Sequence, residues 1–164
     1  MHRVEQDVTS NYEFFQPNPS WKGKGKYLHE DCPIRAICAV EQLDWNTVYD
    51  LLCDCGKNVF DAPTSDDSIA LCLKRLSYTK YSVKVTKGSK RPTVANFAKE
   101  HPDGTYVVRV AGHMVGIKDG KYFDCWDCGH KCIYTVYEKK SFLTYEKEYS
   151  LYIHYTFLLV LDWL

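Results

Sequence analysis

Glu30-Asp31-Cys32-Pro33-Ile34-Arg35-Ala36 decides how the chain reads. Asp31 is a favourable N-cap and Pro33 suits a first helical turn. Behind them Ile34, Ile37, Cys38 and Leu43 form one apolar stripe. The pattern predicts a helix over about 31–42 with Cys32 at its N-terminus. A thiolate placed there meets unpaired backbone N–H groups and the positive end of the helix dipole, a setting that favours the anion. The same N–H groups can receive the oxyanion of an acyl-transfer intermediate. Taken alone, Cys32 is equally a buried structural thiol, since free cysteine is among the most buried residue types.

Outward from this stretch the chain divides into a helical half and a β half. Residues 1–26 are polar and carry Gln16-Pro17-Asn18-Pro19, which predicts an extended lead-in anchored by Phe14, Phe15 and Trp21. The glycines at 23 and 25 lie in a lysine-rich run but fit no phosphate-binding pattern, so a surface loop is expected. Asp44 caps a second helix, with Trp45, Val48, Tyr49, Leu51 and Leu52 at helical spacing and an end near Cys55-Gly56. Ser65 caps a third, whose buried stripe is Ile69, Ala70, Cys72, Leu73 and Leu76. A short strand is expected at 81–85. A fourth helix follows from Thr93, with Val94, Phe97 and Ala98 inward, closed by His101-Pro102-Asp103-Gly104. Strands are predicted at 105–110, 113–118, 121–124 and 132–137, the middle pair joined by an Asp119-Gly120 turn. Helices first and a β-meander second imply an α+β fold, one domain over 1–164, with the helical half packed on an antiparallel sheet.

Composition narrows the function classes. Lys+Arg and Asp+Glu number 21 each in 164 residues, so the electrostatic footprint of a nucleic-acid binder is absent. Residues 1–16 contain no apolar leader segment, and a cytoplasmic protein is the expectation. The nearly unbroken apolar run 149–164 is shorter than the roughly 20 residues of a membrane span, so a final strand or core helix is expected and no membrane. Eight cysteines in such a chain read as reduced thiols or metal ligands rather than disulfides.

The chemistry falls where the halves meet. His113 opens a strand between Gly112 and Gly116, which leave room for close approach of backbone or substrate. Across the Asp119-Gly120 hairpin lies Asp124, and hairpin pairing makes the two neighbours. A carboxylate there can hold the imidazole by its second nitrogen. Cys32, His113 and Asp124 are thus candidates for nucleophile, base and orienting acid. Asp127 competes with Asp124 but lies farther from the paired end of the hairpin. Arg35 reads as a structural cation tying a carboxylate or loop, and Trp126 as a wall of the site or a lid on the hairpin core. Cys53, Cys55, Cys125 and Cys128, with His130 and Cys132, offer donors enough for zinc. The Cys-x-Cys half is too tight for a usual knuckle, however, and the expectation is scattered thiols with no metal and no cofactor.

The order Cys32, His113, Asp124, with helices before strands, resembles the papain-like cysteine peptidase superfamily. Asp31-Cys32-Pro33-Ile34-Arg35-Ala36 is similar to the Asp-Cys-x-x-Arg-Ala signature of small papain-like proteins of phages and prophages, and to the nucleophile loop of ovarian-tumour deubiquitinases. The Gly-His-Met-Val strand and the Asp-Gly-Lys-Tyr-Phe-Asp-x-Trp-Asp hairpin extend the likeness, which covers about 17–138. The resemblance implies a thiol hydrolase acting on a protein or peptide, in a phage setting a host or viral protein. A papain-like scaffold that binds a host defence factor without catalysis is the alternative, and a zinc-stabilised interaction module a third. The papain type carries an oxyanion glutamine where this chain has Lys26, and nothing in the likeness accounts for the segment after about Phe142.

Overall fold

A computed structural model describes residues 11–23 and 30–140. Lys26 and the apolar run 149–164 lie outside the described residues. Within them the chain forms β1 (Tyr12–Phe14), α1 (Cys32–Glu41), α2 (Trp45–Val59), α3 (Asp66–Arg75), β2 (Tyr78–Ser82), α4 (Val94–Glu100), β3 (Thr105–Val110), β4 (His113–Lys118), β5 (Lys121–Asp124) and β6 (Ile133–Lys139). The fold is α+β, four helices with one six-stranded mixed sheet, in the order β1-β5-β4-β3-β6-β2. No helix among the described residues is long and apolar enough to cross a membrane.

Both faces of the sheet are covered, which explains the apolar run Tyr106–Val108 within β3. Val107 joins Met114 and Tyr137 in a core with Ile34, Ile37, Leu52, Ile69 and Leu73 of α1–α3. Its neighbours Val108 and Val110 face the other way, into a core with Val115, Ile117 and Val136 under Val94, Phe97 and Ala98 of α4.

Four expectations are corrected. The sheet is not wholly antiparallel: Tyr12–Phe14, expected only as extended lead-in, form an edge strand parallel to β5. The strand expected at 81–85 begins earlier, at Tyr78, where it pairs with Lys139. Helix α2 runs past Gly56 to Val59 and reverses at Phe60, which takes the left-handed conformation at φ 60°. Gly56 is needed for space rather than for a turn, because a Cβ there would lie 2.7 Å from the Asp61 carbonyl oxygen. Finally, Asp31 precedes α1 but its side chain makes no capping hydrogen bond.

The docking of α1 on β4 positions the site. A Cβ on Gly116 would sit 2.7 Å from the Ala36 carbonyl oxygen and 3.0 Å from Val40 Cγ1, so only glycine lets the helix lie this close. Farther along, Lys118 Nζ donates to the Val40 carbonyl oxygen at 3.4 Å. Helix and strand therefore run the same way, and their first residues, Cys32 and His113, come to the same end.

Candidate active site

His113 and Asp124 meet because of the hairpin between them. Asp119 and Gly120 both take positive φ, the two-residue turn that matches strand twist, and register runs Lys118↔Lys121, Ile117↔Tyr122, Gly116↔Phe123. One step further Asp124 falls opposite Val115, two residues from His113 on the same face, within reach of a diagonal contact. The Asp124 Oδ2 oxygen hydrogen-bonds His113 Nε2. Asp124 is 2% exposed. Its other oxygen accepts the Cys125 N–H at 2.7 Å and faces Arg35 Nη2 at 3.3 Å.

Asp127, the competing carboxylate, is turned away. It accepts from the Tyr122 hydroxyl at 2.6 Å and the Gly129 N–H at 3.0 Å, and so closes the turn after β5.

Arg35 is buried and bridges the two halves. One end pairs with Asp31, one turn back on α1, and the other with Asp124, while its Nε is buried without a hydrogen-bond partner. Asp31 is held in turn by Asn18 Nδ2 at 2.7 Å and the Trp45 indole N–H at 3.2 Å. The lead-in also reaches Asp124, whose carbonyl oxygen accepts the Phe15 N–H at 2.8 Å.

Electrostatics follow from this enclosure. Burial works against a charged His113, but the hydrogen bond to Asp124 and the neighbouring sulfurs of Cys128 and Cys32 outweigh it and raise the imidazole to about 11. Burial likewise pushes Asp124 up, and His113, the Cys125 amide and Arg35 more than reverse that, holding it below the usual carboxylate range. Arg35 stays charged, its burial offset by Asp31, Cys125, Asp124 and Cys32.

Cys32 and His113 line one cleft of about 460 Å³, with Trp126, Met114 and Ile69 as apolar wall. The Trp126 ring lies 5.5 Å from the His113 ring. Arg109, paired with Asp66, borders the same cleft. Pro33 supplies no N–H and the Arg35 amide already bonds the Asp31 carbonyl at 2.9 Å. Among the described residues this leaves the amides of Cys32 and Ile34 as the first-turn donors nearest Cys32 in the chain.

All eight cysteines are free of disulfides. The halves of the zinc arrangement weighed from the sequence do not meet: Cys55 packs in the core under α1–α3, Cys128 in the core under α4. Cys128 instead stands beside His113 and Asp124, a contact that sequence reasoning missed because it comes from an irregular loop.

No family model, curated protein or solved structure matches this chain.

Proposed function

We propose that the protein is a papain-like cysteine hydrolase that cleaves a peptide, isopeptide or related amide bond. The observation that supports it is His113, hydrogen-bonded to buried Asp124 and interacting with Cys32 at the N-terminus of α1, in an open cleft. The Cys32 sulfur attacks the carbonyl carbon while its proton resides on His113. The amides of Cys32 and Ile34 receive the oxyanion. The imidazolium then gives its proton to the leaving nitrogen as the C–N bond breaks, and a thioester remains. Water adds to the thioester carbonyl, His113 takes a proton from it, and departure of the Cys32 sulfur releases the acid. Asp124 keeps the imidazole oriented and balances its charge, and Arg35 fixes Asp124. The substrate is a protein or peptide; in the phage setting that the sequence likeness suggests, it is a host or viral protein.

The test is residue-resolved alkylation of the whole chain by iodoacetamide under initial-rate conditions. Cys32 should react faster than Cys132, the exposed cysteine, and His113→Ala should remove that advantage. Equal reactivity of the two, or indifference of Cys32 to His113→Ala, would leave a binding scaffold as the better reading.

A further inference from the structure

Cys128 is a buried thiol that the reaction just described does not use. Its sulfur, a nitrogen of His113 and a carboxylate oxygen of Asp124 lie within 4.8 Å of one another. We infer that His113, Asp124 and Cys128 form a binding site for a zinc-class divalent cation, and that the ion switches the hydrolase off. The inhibitory part rests on the hydrolase reading; the binding does not.

The donor set is one nitrogen, one oxygen and one sulfur, a mixture that suits Zn²⁺ with a fourth position left for water or the Cys32 sulfur. Tetrahedral bonds of about 2.0–2.3 Å place donors roughly 3.5 Å apart, so the cluster is near the required size. His113 and Asp124 must separate slightly, and the ion then takes the place of the proton they share. The surrounding groups are those a metal site needs. Asp124 Oδ1 is already fixed by the Cys125 N–H and by Arg35, which leaves Oδ2 to serve as ligand in one orientation.

Charge balance permits occupation. Leaving Cys32 aside, as in the Cys32→Ala chain used below, the buried ion pairs of Asp31, Arg35, Asp124 and imidazolium His113 sum to neutrality without metal. With the ion bound to neutral His113, ionised Asp124 and a Cys128 thiolate, the same centre is again neutral. Binding releases one proton from the imidazolium and one from the thiol. Occupied by metal, His113 can neither hold the Cys32 proton nor pass it to a leaving group.

Cadmium serves as the spectroscopic stand-in for zinc. The Cys32→Ala chain, stripped with chelator, should take up one equivalent of Cd²⁺ with an ultraviolet thiolate-to-metal band, and zinc should displace it. Adding Cys128→Ala should abolish the band and weaken binding by about tenfold or more. Cys128→Ser should do the same if the alanine variant fails to fold, whereas Cys132→Ser should change nothing. Absence of stoichiometric uptake by Cys32→Ala, or a band that survives loss of Cys128, overturns the site. In the unaltered chain, zinc should slow alkylation of Cys32, and chelator should restore it. Zinc that binds without slowing Cys32 overturns the switch. Slow, His113-independent alkylation of metal-free protein would instead count against the hydrolase reading, with uptake by Cys32→Ala still deciding the metal site.

Discussion

Asp44, Ser65 and Thr93 each turn a side-chain oxygen onto an amide of the helix they open, at Thr47, Ser68 and Asn96. Asp31, at the head of α1, gives its carboxylate to Arg35, Asn18 and Trp45 instead. Three helices satisfy their first turns with their own side chains. Helix α1 has no side-chain cap, and its capping residue is spent on anchoring a buried cation. A locally favourable cap has been given up for a long-range network, and departures of this kind concentrate at functional sites.

The contrast breaks most sharply at Asp124. Asp124→Asn should slow alkylation of Cys32 by about a hundredfold or more, since the histidine loses its orienting charge. Asp127→Ala, which removes only the turn contacts, should leave the rate nearly unchanged and cost about 1 kcal/mol in denaturant unfolding. A silent Asp124→Asn would mean that another group orients His113.

Next in size is the anchor itself. Arg35→Met leaves Asp31 and Asp124 buried without their cation and should destabilise the fold by about 3–5 kcal/mol, measured by urea titration. Arg35→Met with Asp31→Leu should recover part of that loss. A cost near that of an ordinary surface substitution would show that the pair is not closed in solution.

The same centre sets the pH dependence of stability. A histidine raised from 6.5 to about 11 stabilises the fold fully below 6.5 and loses that contribution as pH climbs towards about 11. Asp124, held low, contributes above 3.8 and loses its share as pH falls below that value. Melting temperature should therefore decline on the alkaline side, and His113→Ala should flatten that limb. An unchanged limb in His113→Ala would assign the decline elsewhere.

The smallest effects sharpen the contrast among helix ends. Ser65→Ala and Thr93→Ala should each cost about 1 kcal/mol and leave Cys32 reactivity alone. Phe60→Gly should stabilise by about 1 kcal/mol, because Phe60 occupies a left-handed position at 96% exposure and loses no packing. Thermal melts with parallel alkylation rates check all three.

The sequence carries these elements unequally. Helix starts at Asp44, Ser65 and Thr93 were legible because capping is local, and the His113–Asp124 contact because a two-residue hairpin fixes register arithmetically. The Asp31 side chain was misread by the same local rule, since its real partners lie on the lead-in and α2 as well as on α1. Gly56 looked like a helix stop, but its role is set by a loop that packs back on it. Strand β1 has three residues and a parallel partner more than a hundred positions away, so no nearby pattern announces it. Cys128 was invisible as a neighbour of His113 because loops without periodicity do not reveal where their side chains converge.

The lead-in that braces Asp31 through Asn18 and Asp124 through Phe15 has a consequence in time. Helices form from near neighbours, whereas β1 must find β5 across almost the whole described chain, a long loop to close. In refolding from denaturant, helical signal should therefore appear before rapid alkylation of Cys32 does. Partly folded chains would carry the thiol on a formed helix before Asn18 and Phe15 have braced Asp31 and Asp124.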